Sequence, residues 1–505
     1  MYYFVNQYLL NQNSSVEHAE IKRVKLFEQY HSPAKIVTRD FDLVLHQTIK
    51  KFGLKDTNVI NMFDFFAQTD DYVGHALKID DLKLPIEYQV GTGNNFREVK
   101  DGSRLVCEIH FASGTVAQIN HIDYFDASGN LNLRSRYDIR GFKAADEFYG
   151  QDGSMFYTLL YRPDGQRYME QYFVKSTENT PINSLNHLLN YRGRDRYFNS
   201  LDDLFAFFLE ELANQSDEPV SFIADRPAMA NLPVLNSKAK AKKYLWLPIN
   251  HSQDAKNPVN GQLNNLYQYP FSPAGKKQLD GVIVMTKAQQ GDLLKRLNDK
   301  KLPIYAVSGA IADPIEQKVV VKERTQHHII SVGRLGFDKQ IDQLLQVFKL
   351  IHQKIADATL TIYGYGVASE VDQFKQQVVD LKLDEPGLVT FAGYQIDLQS
   401  AYDQAQLFID TSNVDGQPLA MVEALSHGVP VLSYDYNYGP GEIISEGQNG
   451  YLIPQNNVTK LVKQAILVLN DQTRLQELST NAYQSSEQFN AETIWQQWQI
   501  VNSKG

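Results

Sequence analysis

Apolar and polar positions follow two textures along this chain. At the start, Tyr2 to Val5 is a short apolar run of β-prone side chains, and Ser14 followed three residues later by Glu17 has the pattern of a capping box. The helix it opens carries Val16, Ala19, Arg23, Phe27 and Tyr30, and Ala34 to Thr38 reads as the next strand. Strand, loop, helix and strand in this order predict the beginning of a doubly wound α/β unit. Ligands of such units sit outside the carboxyl ends of the strands, which places the loop Asn6 to Ser15 at a cleft.

From about Lys83 to Val174 the period shortens to two, and turn signals divide the segments: Asp101-Gly102, Ser128-Gly129-Asn130, Asp152-Gly153 and Pro163-Asp164-Gly165. Segments such as Ala117 to Phe125 and Leu131 to Ile139 have hairpin length, so an antiparallel meander inserted in the first α/β domain is expected. The α/β texture returns with a helix near Leu201 to Leu212 and strands at Val220 to Ala224, Tyr244 to Ile249 and Gly281 to Met285. After a Pro-containing stretch at Ile311 to Pro314, a second series runs through His328 to Val332, Thr359 to Tyr363, Leu388 to Phe391, Leu407 to Asp410 and Val429 to Ser433. The helix after Lys339, with Ile341, Leu344, Leu345, Phe348 and Ile351 on one face, is the clearest of those between the strands.

These elements predict an α/β fold of two Rossmann-like domains facing a cleft, with a β-rich antiparallel insertion in the N-terminal domain. The expected boundaries are 1–80 and 191–314 for the two parts of the first domain, 81–190 for the insertion and 315–485 for the second domain. A closing helix at 486–505, with Trp495 and Trp498, is expected to cross back to the first domain.

At 505 residues the chain is too long for a single core, which agrees with this division. A net charge of −10 argues against a dedicated nucleic-acid binder but allows a local basic groove. The single cysteine, Cys107, forms no intramolecular disulfide and reads as a small buried hydrophobe in an alternating strand. The N-terminus has no basic leader region and no apolar run has bilayer-spanning length, so a cytoplasmic protein is expected.

Two segments carry chemistry. In the first, Asp415-Gly416-Gln417-Pro418-Leu419-Ala420-Met421-Val422-Glu423 continues to Gly428 and Val431, reading as glycine turn, helix and strand. Pro418 suits the first helical turn and Gly428 the C-terminal cap. Two carboxylates and a helix N-terminus then share one cleft; helix N-termini bind phosphates, and carboxylates accept hydrogen bonds from sugar hydroxyls. Taken by itself, Glu423 reads equally as a solvated helix residue and Asp415 as a cap. In the second segment, Ser331-Val332-Gly333-Arg334-Leu335-Gly336-Phe337-Asp338-Lys339, a strand ends in a glycine turn bearing two cations five residues apart, able to neutralise a departing diphosphate.

Together these segments resemble the donor-binding half of retaining family 4 glycosyltransferases of the GT-B fold. Tyr363-Gly364-Tyr365-Gly366, Val389-Thr390-Phe391-Ala392-Gly393-Tyr394 and Ser433-Tyr434-Asp435-Tyr436-Asn437-Tyr438-Gly439-Pro440 extend the likeness. The last run is similar to that of bacterial poly(glycerol-phosphate) and poly(ribitol-phosphate) α-glycosyltransferases of wall teichoic acid, and to the related enzymes that glycosylate serine-rich adhesins. In those groups a β-rich insertion also interrupts the first domain.

The resemblance implies that Arg334 and Lys339 hold the donor diphosphate and Glu423 the ribose. It implies that Gly333, Tyr363, Gly364, Ala392 and Tyr394, with Gly416, Gln417, Pro418 and Leu419, form the rest of the donor site. Asp415 stands where the family has its first glutamate and is one methylene shorter. His251 resembles the N-domain histidine that contacts the transferred sugar, and the loop bearing Ser14, Ser15, Glu17 and His18 resembles the acceptor-side loop, although Ser14 also reads as a plain helix cap. The implied enzyme is a hexosyltransferase that uses a UDP-sugar as co-substrate, with no cofactor and no metal. Its acceptor would be a polyanionic teichoic acid or a protein. The alternative is a serine-rich-adhesin protein glycosyltransferase or its weakly active or non-catalytic partner subunit. Homo-oligomers or a sister glycosyltransferase through the insertion, and peripheral association with the inner membrane face, are the further partners implied.

Overall fold

The computed structural model describes residues 1–178 and 180–504; Asn179 and Gly505, which fall in the expected insertion and closing helix, lie outside the described residues. Seven strands form one sheet in the order Val59–Asn61, Ala34–Thr38, Tyr2–Asn6, Val220–Ala224, Ala241–Leu247, Gly281–Val284 and Ile304–Ala306. Six form another in the order Val389–Gly393, Thr359–Tyr363, His328–Val332, Leu407–Asp410, Val431–Asp435 and Gly450–Pro454, all in parallel pairs. Both orders run outward from the first strand in one direction and then in the other, which is the Rossmann arrangement. The third sheet has ten strands, from Gln89–Val90 to Arg194–Phe198, each paired antiparallel with its neighbour in sequence. The fold is therefore the expected one, two Rossmann-like sheets and an antiparallel insertion.

By contacts the chain divides into two compact units. One comprises Met1–Asn11, Ala34–Phe222 and Met229–Ala241, and the other Gln12–Pro33, Ile223–Ala228 and Lys242–Gly505. The first contains the ten-stranded sheet. Cys107 is buried there as expected, with Val99, Ile109, Phe111, Ile119 and Ile122, beneath Leu77, Ile79, Leu82 and Leu84. The last strand of the sheet lies beyond residue 190, where the alternating pattern had already faded into the charged run Arg192 to Arg196.

The second unit contains the six-stranded sheet and a core of its helices and strands, including Ile341, Leu344, Leu345, Phe348 and Ile351 from the helix Ile341–His352. Its closing helix, Ala491–Lys504, stacks Trp498 on Trp246 and sets Trp495 against Phe27 and Tyr30. Buried among these rings, Arg23 lies over Trp246 and donates to Asp225 at 2.7 and 3.0 Å. A charge is tolerated there because it is paired and stacked.

Element ends depart from the apolar runs where a backbone group is claimed elsewhere. The strand expected from Val429 begins at Val431, because the Val429 amide donates to Ala424 and closes the preceding helix. The strand expected to reach Ile249 stops at Leu247, before Pro248, which has no amide to offer a neighbour. Among the described residues no helix is long and apolar enough to cross a membrane.

Candidate active site

In the six-stranded sheet the strand order reverses between His328–Val332 and Leu407–Asp410, which are neighbours. Loops leaving the carboxyl ends of two such strands diverge and open a crevice. The loop Gly333–Lys339 leaves the first strand and the segment 411–418 leaves the second. Lys339 and Asp415 meet across this switch point, with Nζ 2.5 Å from the carboxylate. Burial would lower the lysine, but Asp415, with Asp410 and Asp338, holds it above its ordinary value, so it stays a cation. The other Asp415 oxygen accepts the Gly416 amide at 2.7 Å, which fixes the carboxylate in the turn.

The turn is packed tightly. A Cβ on Gly416 would lie 2.2 Å from the Pro248 carbonyl oxygen and 2.5 Å from the Met285 methyl, so only glycine fits. Gln417 is buried, and its side-chain oxygen accepts from Ser308 Oγ and from the amides of Gly309 and Ala310. That side chain holds the 308–310 segment in place. Pro418 does not occupy the first helical turn as expected. It precedes the helix Leu419–Ser426 with an extended backbone, since three residues after Asp415 are needed to complete the turn.

Glu423 lies one turn into that helix. Its Oε1 accepts from Lys22 Nζ at 3.1 Å and its Oε2 from the Tyr402 hydroxyl at 3.2 Å. Burial would raise its pKa, but Lys22, with His18 and Tyr402, holds it below the ordinary carboxylate value. Lys22 comes from the helix Ser15–Gln29, four residues after His18, and the His18 Nε2 lies 3.0 Å from the Tyr394 hydroxyl. The Asn13 amide donates to the same hydroxyl. Of the four expected acceptor-side residues, Ser14 and Glu17 form the capping box, and Glu17 also takes the Arg226 guanidinium. Ser15 is exposed.

Arg334 is about half exposed and pairs with Asp338 at 2.6 Å, within its own loop. Gly333, Tyr363, Gly364 and Gly393 are joined by backbone hydrogen bonds between strand ends, the Gly333 amide to the Tyr363 carbonyl and the Gly364 amide to the Gly393 carbonyl. Gly364 has φ +141°, and a Cβ there would lie 1.8 Å from the Gly333 carbonyl oxygen. Ala392 accepts from Gln395 at 3.2 Å. His251 is fully buried: Nε2 donates to the Pro258 carbonyl at 3.1 Å and Nδ1 has no partner among the described residues. Burial, with Arg296 nearby, pushes its pKa down to about 4, so the ring is neutral. Tyr438 stacks on it and donates its amide to the Asp415 carbonyl, which joins the Ser433 to Pro440 run to both His251 and the Asp415 turn.

Sequence reading did not find Lys22, Tyr402, Asp410 or Asp313. Each is an unremarkable residue in its own element, and only folding brings it to a named one. Nor did it find the group of His110, His121 and Asp123 in the insertion, whose ligand atoms lie within 4.8 Å of one another. The spacing shows nothing because the group is made by register: His110 faces His121, and Glu108 faces Asp123. Asp123 is engaged at both oxygens by Arg134, at 2.6 and 2.7 Å.

Residues 313–485 match the family model of glycosyl transferases group 1, and residues 88–197 match the GtfB middle domain. The region that holds the six-stranded sheet is thus similar to the glycosyl transferases group 1. Among relatives, the poly(glycerol-phosphate) alpha-glucosyltransferase of Bacillus subtilis (strain 168) is 26% identical over 98% of this chain and 74% of its own. The UDP-N-acetylglucosamine–peptide N-acetylglucosaminyltransferase GtfA subunit of Streptococcus gordonii is 26% identical over 96% of this chain and 95% of its own. A crystal structure of an S. aureus TarM mutant in complex with Fondaparinux, alpha-GlcNAc-glycerol and UDP aligns with TM-score 0.81 at 22% identity, covering 99% of both chains.

Proposed function

We propose that the protein is a retaining hexosyltransferase that moves glucose from UDP-glucose to a cell-wall polyol phosphate such as poly(glycerol phosphate) teichoic acid. The observation that carries the donor half of this reading is the Lys339–Asp415 pair across the switch point, beside the N-terminus of the helix that bears Glu423. An anionic diphosphate competes with Asp415 for Lys339 and with Asp338 for Arg334. Both cations then neutralise charge as the leaving group departs, and preorganised charge of this kind is worth most where water is excluded. Glu423 accepts the ribose hydroxyls, and the amides from Gly416 to Leu419 contact the phosphates and the sugar.

The substitution proceeds on the front face. The sugar becomes oxocarbenium-like as its bond to the diphosphate oxygen breaks. That oxygen accepts the proton of the acceptor hydroxyl as the new bond forms on the same face. The side-chain cations supply the positive charge the leaving group needs, so the reaction is read as metal-independent. Buried and neutral, His251 supplies a hydrogen-bonding nitrogen toward the sugar, and Ser14, Ser15, Glu17 and His18 belong to the acceptor side.

Glucose and the polymer acceptor are favoured by the B. subtilis relative, which matches nearly the whole chain. A second reading, transfer to a serine-rich protein or service as the partner subunit of such an enzyme, is favoured by the match of residues 88–197 to the GtfB middle domain. In either reading the insertion offers sheet edges for a second copy or a sister glycosyltransferase. The protein would work in the cytoplasm, in peripheral contact with the inner membrane face where its acceptor is made. Incorporation of label from UDP-glucose or UDP-N-acetylglucosamine, into poly(glycerol phosphate) or a serine-rich polypeptide, decides between them, with the anomer read by NMR. Labelled α-glucosyl polymer is expected. A β-linked product would refute retention, and label only in the polypeptide would establish the second reading.

A further inference from the structure

We propose that Lys22 is a positioning residue for the donor site: its ammonium aims the Glu423 carboxylate and joins it to the helix that carries Ser14 and His18. This inference rests on the reading of Glu423 as the ribose-binding residue.

The geometry leaves Lys22 little freedom. Its ammonium donates to Glu423 Oε1 at 3.1 Å and to the Ile311 carbonyl at 3.0 Å, and it is ion-paired with Asp313 Oδ2 at 3.2 Å. Its side chain is 23% exposed, so water competes weakly for these bonds. With Lys22 on Oε1 and Tyr402 on Oε2, each carboxylate oxygen spends one acceptor site and keeps another. Two remaining sites, one per oxygen, suit a pair of adjacent hydroxyls such as those of a ribose. Lys22 and His18 lie four residues apart on one helix and thus on one face. The first ends on Glu423 and the second on Tyr394, so two residues expected at the donor site are held by the helix that bears the expected acceptor-side residues.

The charges around Glu423 are Lys22 and His18 from this helix and the Tyr402 hydroxyl from the helix Gln399–Gln404; Asp313 stands behind Lys22 and Glu17 behind His18. His18 is itself pushed below its ordinary value, by burial first, so it adds little positive charge at neutral pH. Lys22 is then the main cation at the carboxylate. Without it, burial would dominate and raise the Glu423 pKa. A proton on the carboxyl would fill an acceptor site that a hydroxyl needs.

The test is calorimetric titration of UDP into the full-length protein and its Lys22→Met and Lys22→Arg variants, from mildly acidic to mildly alkaline pH, with melting curves alongside. Lys22→Met is expected to bind UDP about tenfold more weakly or worse, since each unit of pKa shift is about a tenfold change in the ionised species. The deficit should widen as pH falls, because Glu423 now takes up its proton at a higher pH than in the wild type. Lys22→Arg should recover most of the affinity, and KM for the donor should rise more than kcat falls. Wild-type affinity and pH dependence in a folded Lys22→Met protein would overturn the proposal. If Lys22→Met does not fold, Asp313→Asn decides: with its competitor gone the ammonium stays on Glu423, and affinity is expected to hold or tighten, whereas a tenfold loss in a normally melting protein would refute the account. Wild-type protein that binds no UDP at any pH is a separate result, and it sinks the donor-site reading instead.

Discussion

The six-stranded parallel sheet and the ten-stranded antiparallel sheet gather their polar side chains in different ways. In the parallel sheet the groups stand in loops at the carboxyl ends of strands, and a single segment such as Gly333 to Lys339 or Asp415 to Glu423 carries several of them. In the antiparallel sheet they stand in rows across strands. Glu108, Asp123, Arg134 and Glu147 come from four different strands, and register alone makes them neighbours. Local chemistry is written in consecutive residues, whereas cross-strand chemistry is written in pairings that the chain does not display.

The largest effect expected from a single change lies at the switch point. If Lys339 neutralises the leaving diphosphate as proposed, Lys339→Ala should lower kcat by roughly 100- to 1000-fold, measured as UDP released per folded molecule. Gly364→Ala comes next. A side chain at φ +141° and within 1.8 Å of a carbonyl oxygen forces the Gly333 and Gly364 loops apart, and donor KM should rise by more than about tenfold. Both changes sharpen the comparison, since each strikes a loop at a parallel strand end.

Arg134→Met breaks the row in the insertion. It strips the nearly buried Asp123 of its bidentate partner and should cost about 2 kcal/mol in thermal or denaturant unfolding. Donor turnover per folded molecule should stay at the wild-type level. A loss of turnover equal to that of Lys339→Ala would break the comparison, because it would make the insertion's polar row part of the donor chemistry. The smallest effect is expected for Asp415→Glu. The added methylene lets the carboxylate keep Lys339 from a slightly shifted position, and kcat should change by less than about tenfold.

The fold was largely legible because hydrophobic period separates the two textures. Runs such as Ala34 to Thr38, His328 to Val332 and Leu407 to Asp410 coincide with strands end to end. Where the reading slipped at a strand end, a backbone group had another partner, as at Val429, or was missing, as at Pro248. The candidate site was legible in its loop residues and not in the side chains that brace them. Lys22 reads as an ordinary solvated lysine of an amphipathic helix, and Tyr402 as one aromatic among many; neither carries a sign of Glu423, some 400 and 21 residues away in the chain. Gln417 shows the converse. It was named for its motif, and its side chain braces the 308–310 segment.

The most direct test of a donor-diphosphate site at the Lys339–Asp415 switch point is UDP release from UDP-glucose, with and without poly(glycerol phosphate), by wild-type protein and Lys339→Ala in the presence of EDTA. The account predicts release that the polymer stimulates, that EDTA leaves intact and that Lys339→Ala lowers by roughly 100-fold or more. Release that Lys339→Ala retains in full, or that disappears with EDTA, would contradict it.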